Sequence, residues 1–434
     1  MLDLKFIRDN KELFQQAAKN KNLNFDVQEF LAINDKRRQS QSEIDDLRAQ
    51  KNKLAQAGQT GKPSKEQIRQ GRELKEKISV LEAEFTELEK KYIELMWQVP
   101  QLPSDKAPVG KDAGGNKEIK KWGKIKKFAF PAKNHLELGR ELDILDTERG
   151  VKVSGYRGYY LKNESALLHL ALMMFTLDKM IKKGYQPFIP PTIVREFVMY
   201  GSGHFPFGRD DIYQITNPGK LADGSDIMEN KYLVGTSEPS ILAYHSDEIL
   251  EGSELPKKYC GFSQCYRNEI GSYGKDTKGI YRIHEFMKIE QVIFCKNDYD
   301  ESEKLHQEIT AISEEILQDL KIPYRVLEIC TGDMGAGKYR MYDLESWMPS
   351  RNSYGETHSS SNLGDWQARR LNIKYQTKDG QKNYVHTLNN TAIASPRILI
   401  AVLENYQQKD GSIIVPKVLR QYLPGKIKII KKKK

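Results

Sequence analysis

The spacing of apolar residues between Gly71 and Leu95 constrains this chain more than any other feature. Positions 71, 74, 78, 81, 85, 88, 92 and 95 alternate steps of three and four, and all but the first are apolar: Leu74, Ile78, Leu81, Phe85, Leu88, Tyr92 and Leu95. Steps averaging 3.5 put these residues on one stripe of a helix, and such a stripe leaves water only against a second helix. Ile33, Ile44, Leu47 and Leu54 carry the same spacing upstream, more weakly because Arg37, Ser40 and Lys51 take the intervening positions. Between the two lies AGQTGKPSK, whose Gly58, Gly61 and Pro63 break helices. The pattern predicts two antiparallel helices of about 30 residues, each roughly 45 Å long.

A helical hairpin by itself suits dimerisation or a structural strut. Its charge pattern argues for a different use: Lys36, Arg37, Arg38, Arg48, Lys51, Lys53, Arg69, Arg72, Lys75 and Lys77 surround the distal half, while Glu82, Glu84, Glu87, Glu89 and Glu94 gather near the end of the second helix. A basic tip with an acidic root can lie along a phosphate backbone. The whole chain carries a net charge of +10, which suits a polyanionic partner or simple solubility. PQLPSDKAPVGKDAGGN follows Val99 and reads as a linker, so residues 1–102 are expected to form an arm domain, 103–130 a linker and 131–434 a catalytic body. Four irregularly spaced cysteines make neither a disulfide framework nor a zinc site, and no stretch is long and apolar enough for a membrane span or a signal peptide. A cytoplasmic protein with no membrane partner is expected.

In the second part, ESALLHLALMMFTLDKMIKKG reads as a buried helix closed by Gly184, and Pro190 with Pro191 mark an edge strand or a strand ending, where a dimer contact could form. Segments such as IYRIHEFMKIEQVIF alternate, and strict βαβ order is missing. The expected class is α+β: a helical hairpin followed by a mixed, mainly antiparallel sheet flanked by helices, those helices lying on one side.

Chemistry concentrates in CYRNEIGSYGKDTKGIYRIHEFMKIE, where two strand-like pieces flank a Gly- and Lys-rich loop. Arg267 and Glu269 are two apart and share a face. Arg282, Phe286 and Glu290 share parity on the second piece, with Ile283, Met287 and Ile289 assigned to the inward side. An arginine fork matches phosphate oxygens, an aromatic ring stacks on a base and a carboxylate holds an ammonium group. Phe286 and Glu290 are about 13 Å apart along a strand, roughly the length of an aminoacyl adenylate. A charged strand face with one aromatic is also what an ordinary solvated surface looks like.

The piece from Arg267 to Glu290 resembles the second signature motif of class II aminoacyl-tRNA synthetases, and NTAIASPRILIAVLENYQ from Asn390 resembles the third. With TSE at 236–238, SWMPSRNSYGETHSSSNLGDWQARR from Ser346 and VHTLNN from Val385, the match is to the seryl-tRNA synthetase family. It extends over essentially the whole chain, hairpin included, in the right order.

That resemblance implies activation of L-serine with ATP and transfer of the seryl group to tRNA(Ser), with tRNA(Sec) as a further acceptor. Arg267 and Arg397 would be the catalytic residues. Arg267 would bind the α-phosphate and the serine carboxylate, and Phe286 and Arg397 would cover the two faces of adenine. Asn268, Glu269, Arg282 and Ile283 would complete the ATP site with Thr357, His358 and the Mg²⁺ ligands Glu356 and Ser359. Thr236, Ser237, Glu238, Glu290, Asn389 and Thr391 would join Arg267 around serine. The arm would grip the tRNA, and the enzyme would be a homodimer.

Other readings of these residues are weaker. Gly332, Gly337 and Lys338 nearly spell a P-loop, but Tyr339 stands where a hydroxyl ligand of magnesium belongs. His204, His284 and His358 sit at no metal-ligand spacing. Asn390 and Ala392 stand where the family usually has glycines, Ser237 replaces a commoner alanine, and the Thr357–His358 pair varies the loop beside the magnesium ligands. Another class II ligase lacks support from the hairpin and pocket pattern together, and an inactive RNA-binding scaffold would have no reason to keep every implied ligand.

Overall fold

The computed structural model describes residues 2–57, 64–217, 219–270 and 279–432. They form two compact units, Met1–Pro100 and Gln101–Lys434. The breaker residues Gly58, Gly61 and Pro63, and most of the Gly- and Lys-rich loop after Glu269, lie outside the described residues.

The first unit is the hairpin. α1 (Val27–Ala57) and α2 (Lys65–Met96) run for 31 and 32 residues. Ser64 starts α2 with a capping box, accepting from the Gln67 N–H at 3.1 Å while Gln67 Oε1 accepts from the Ser64 N–H at 2.8 Å. The seam positions 74, 78, 81, 85, 88, 92 and 95 are all at least partly withdrawn from solvent, and Ile33, Ser40 and Ile44 are buried on the other helix. Arg37 earns its place in the seam by lying 4.3 Å over the Tyr92 ring and pairing with Glu89 at 2.7 Å, while Tyr92 stacks on Phe30. Arg48 likewise pairs with Glu82 at 2.7 Å. Part of the charge pattern is therefore used between the two helices, whereas Lys36, Arg38, Lys51, Lys53, Arg72, Lys75 and Lys77 are exposed.

The second unit is built on eight strands: β1 (Lys117–Trp122), β2 (Gln186–Phe188), β3 (Lys257–Tyr266), β4 (Glu285–Cys295), β5 (Tyr324–Glu328), β6 (Arg340–Met348), β7 (Ser353–Asn362) and β8 (His386–Ala394), in the order β1-β5-β6-β7-β8-β4-β3-β2. All neighbours are antiparallel except β2 and β3. β2 stops at Phe188, just before the two prolines, and is an edge of the sheet, as their missing N–H donors require. The stretch 103–130, read as a linker, is not one. Its β1 pairs with β5, the Ser104 N–H donates to the Tyr339 carbonyl at 2.8 Å, and Ala107 is buried with Ile329 and Met334. Its proline and glycine content limits helix to one short turn at Ala113–Gly115 but does not prevent packing.

Helices also cover the sheet differently from the expectation. α3 (Asn163–Lys182), the helix closed by Gly184 at φ 84°, packs on the face carrying Met287 and Ile289. α4 (Tyr299–Asp319) covers the same face, where Gln291 and Asn390 donate to the Ile309 carbonyl. The other face takes two short helices, Glu238–Ala243 and Trp366–Leu371, against Val292 and Phe294. Beside them that face opens into a cleft. α3 itself leaves Leu170 and Met174 exposed, although the sequence read as apolar all round.

A candidate adenylate-forming cleft

The cleft has a volume of about 220 Å³ and is walled by β4, β7 and β8, by the segments 235–238 and 267–269, and by the start of the helix Arg397–Asn405. Sheet register explains much of its composition. Residues paired across neighbouring antiparallel strands share a face, and Glu290 faces Thr391, Ser361 faces Asn389, and Asp343 faces Ser359. All of these but Asp343 line the cleft, with Phe286 on the same side of β4.

Arg267 lies one residue past β3 yet stays in the ladder, because its N–H donates to the His284 carbonyl at 2.9 Å and its own carbonyl accepts from His284 Nδ1 at 3.0 Å. Its Nε donates to the Gly235 carbonyl at 3.2 Å, and its guanidinium stands 5.4 Å from the Phe286 ring centre. Glu269 adopts φ 57° and turns into the cleft. Burial alone would raise its pKa, but the Arg282 hydrogen bond at 2.9 Å and the charges of Arg267, Arg282 and Arg397 hold it below the ordinary carboxylate range. Across the cleft, Arg397 lies 4.5 Å over the Tyr281 ring, and its Nε and NH1 donate to the Tyr281 and Glu356 carbonyls, each at 3.2 Å.

At the far end, Glu238 Oε1 accepts two amide donors, Gln367 Nε2 at 2.7 Å and Asn389 Nδ2 at 2.8 Å. Glu290, 2% exposed, pairs with Lys288 at 2.5 Å. Burial raises its pKa, opposed by the Lys288 charge and hydrogen bond. Glu356 and Ser359 supply hard oxygen donors on the cleft wall. Beside them burial, and then the Glu356 charge, push the Asp343 carboxyl well above its usual range, and its buried Oδ1 has no hydrogen-bond partner among the described residues. The donor set fits Mg²⁺.

The cleft thus brings together Thr236, Glu238, Arg267, Glu269, Ile283, Phe286, Glu290, Glu356, Thr357, Ser359, Asn389, Thr391 and Arg397. Four residues assigned to the site from the sequence do not line it. Ser237 is fully buried beneath it, donating to the Gly261 carbonyl at 3.2 Å, where a Cβ on residue 261 would clash with the serine hydroxyl. Asn268 turns to the 209–211 segment and donates to the Asp210 carbonyl at 3.3 Å. Arg282 does not line the cleft and donates to Glu269, which does. His358 faces the core, its Nδ1 2.9 Å from Thr357 Oγ1, because a bulge at Thr357 resets the alternation: Glu345 pairs with Glu356 but Leu344 with His358. Ile283, assigned to the inward side, lines the cleft because β4 begins only at Glu285 and strand parity does not extend to it.

Sequence reasoning missed Tyr281, His204, Lys338, Lys288 and Ser361. Lys288 shares parity with Phe286 and Glu290 and could have been found that way. Lys338 belongs to the segment set aside as a failed P-loop. His204 gave no signal beyond its residue type.

Comparisons with known proteins agree over both units. The family described as Seryl-tRNA synthetase N-terminal domain matches residues 1–103, and the tRNA synthetase class II core domain (G, H, P, S and T) matches 220–406. The serine--tRNA ligase of Dictyoglomus turgidum is 44% identical over 429 residues, 98% of each chain. Two solved structures share the fold: the seryl-tRNA synthetase of Pyrococcus horikoshii complexed with ATP (TM-score 0.86, 40% identity, 100% of both chains) and the cytoplasmic serine-tRNA ligase of Naegleria fowleri in complex with AMP (TM-score 0.83, 30% identity, 100% of this chain and 99% of that one). A hairpin and a catalytic sheet matched in one continuous alignment place this chain in the seryl-tRNA synthetase family of class II aminoacyl-tRNA synthetases.

Proposed function

We propose that the chain condenses L-serine with ATP to seryl-adenylate and pyrophosphate, and then passes the seryl group to a ribose hydroxyl at the 3′ end of tRNA(Ser), with tRNA(Sec) as a further acceptor. One observation carries the reading: Arg267, Phe286, Glu290 and Arg397 line a single cleft. Phe286 and Arg397 bracket the adenine. Arg267 sits between nucleotide and amino acid, where its fork meets the α-phosphate and the serine carboxylate and offsets the charge that builds as that carboxylate attacks phosphorus. Glu269 and Ile283 hold the nucleotide, with Arg282 fixing Glu269 from behind. Glu238 takes the α-ammonium, since it lines the cleft and both its amide donors go to one of its two oxygens. Glu290 and Thr391 meet the side-chain hydroxyl, so an alanine leaves buried polar groups unpaired and is rejected.

Glu356 and Ser359 are the residues that would hold Mg²⁺, which supplies charge neutralisation on the polyphosphate. No protein nucleophile is required, and positioning with charge stabilisation accounts for the chemistry. The hairpin is the tRNA-binding element, through the exposed basic residues that it does not use internally. The reading extends to a homodimer acting in the cytoplasm; no described helix is long and apolar enough to cross a membrane.

Pyrophosphate exchange with each of the twenty amino acids tests the assignment. Serine alone should drive exchange; exchange with threonine instead, or none with serine, ends it. Deleting residues 36–90 should spare exchange and abolish tRNA charging.

A further inference from the structure

We propose that Lys288 is a specificity-determining residue of the amino-acid subsite, a fixed counter-ion that makes the Glu290 end of the cleft accept a hydroxyl and refuse an ammonium. The inference rests on the serine reading above.

Lys288 and Glu290 are two apart on β4 and line the same cleft. Lys288 Nζ is 2.5 Å from Glu290 Oε2, their side chains 6% and 3% exposed, and it also donates to Thr391 Oγ1 at 3.4 Å. Glu238 has a different environment. Its Oε1 is held by the neutral amides of Gln367 and Asn389, and Gln367 is locked in turn by donating to the Ser202 carbonyl at 2.9 Å and accepting from Thr387 Oγ1 at 2.7 Å. Neutral donors orient a carboxylate without cancelling its charge; a lysine at contact distance cancels it.

The two acids are thus unlike in charge. The cleft offers a net negative group to the α-ammonium at Glu238 and a compensated pair to the side chain at Glu290. A substrate hydroxyl can donate to the pair, whereas a substrate ammonium there would meet the Lys288 charge. Lys338 also lines the cleft and acts on Glu290 in the same sense from further away.

The probe is 2,3-diaminopropionate, which replaces the hydroxyl of serine by an ammonium. In pyrophosphate exchange at neutral pH, Lys288→Met should lower kcat/KM for serine by about tenfold or more while raising the ratio of diaminopropionate to serine by about tenfold or more, because it removes the cation that a substrate ammonium would meet beside Glu290. Lys288→Met/Glu290→Gln should be no worse with serine than Glu290→Gln alone and should lose the diaminopropionate gain. Equal losses for both amino acids with an unmoved ratio would mean a merely structural lysine and overturn the inference, as would no change at all. Should Lys288→Met fail to fold, the double variant, which replaces the buried pair by neutral groups, and Lys288→Gln read the same ratio. Wild-type exchange with serine separates the two claims: its absence removes the proposed function, and its presence with an unmoved ratio removes only the role of Lys288.

Discussion

His135 holds the buried carboxylate of Glu404 with two bonds, its backbone N–H and its Nδ1 both lying 3.0 Å from Glu404 Oε1, while the Ser350 N–H takes Oε2 at 3.0 Å. The other imidazole nitrogen, Nε2, accepts the Ile280 N–H at 3.3 Å, which requires the neutral tautomer with the proton on Nδ1. One side chain therefore ties the helix that begins at Arg397 to the segment that delivers Tyr281 and Ile283 to the cleft.

Breaking this tie should cost stability first. Glu404→Ala leaves buried donors unpaired and should destabilise the protein by about 2 to 4 kcal/mol in urea unfolding, with Glu404→Gln milder. Burial pushes the Glu404 pKa up, but His135 and Ser350 outweigh it and hold it below its ordinary value. A depressed carboxylate stabilises above its unfolded pKa and loses that contribution as pH falls through the folded one. Glu404→Gln should accordingly show a shallower loss of stability on acidification below about pH 4.5 than the wild type.

A second pH effect has the opposite kind of group behind it. Burial lowers the pKa of His169, His204 and His386 to about 4 and of His306 and His358 to about 3. Below about pH 6.5 the unfolded chain binds protons that the folded chain refuses, so stability falls with pH by up to about 1.4 kcal/mol per unit for each histidine. Melting temperature followed from pH 8 to pH 5 should drop steeply, and His358→Gln should flatten the drop if it packs. An unchanged slope would contradict burial of a neutral imidazole.

Arg267→Gln should lower kcat/KM for pyrophosphate exchange by about 10²-fold or more, with the circular dichroism spectrum unchanged, since the lost fork acts where charge develops. Arg267→Lys should not restore it, because a point charge cannot bridge two oxyanions in the plane of a guanidinium.

Phe286→Leu should raise the KM for ATP by about fivefold to tenfold and leave the KM for serine nearly unchanged, since about 1 kcal/mol of stacking is removed from one substrate only. Equal changes in both constants would show that the ring serves the cleft as a whole.

The arm and the cleft were legible in the sequence for different reasons. Heptad spacing from Leu74 to Leu95 is a local signal, and even the weaker partner stripe, with Arg37 inside it, folded as its spacing implied. Phe286 and Glu290 were placed correctly because strand alternation holds between them. Alternation failed for Ile283, which precedes β4, because an unpaired segment leaves no mark in a pattern of residue types, and His358, assigned with its motif, lies on the face opposite Ser359 and Ser361. Ser237 and Asn268 came with motifs whose neighbours do line the cleft, and motif membership alone does not say which way a side chain turns. The stretch 103–130 was misjudged because composition reports flexibility of the free chain, whereas its pairing with β5 is a contact more than 200 residues away in sequence.

The bulge at Thr357 makes the length of β7 a functional quantity. Removing Thr357 would let the hairpin with β6 zip without interruption, yet Glu356 would still pair with Glu345 and His358 with Leu344, so every later side chain would keep its side. What the cleft would lose is the Thr357 side chain and the extra backbone that separates Glu356 from Ser359. A homologue with one residue fewer in this hairpin would bring those two oxygen donors one residue closer along the strand, however well the rest of its motifs matched.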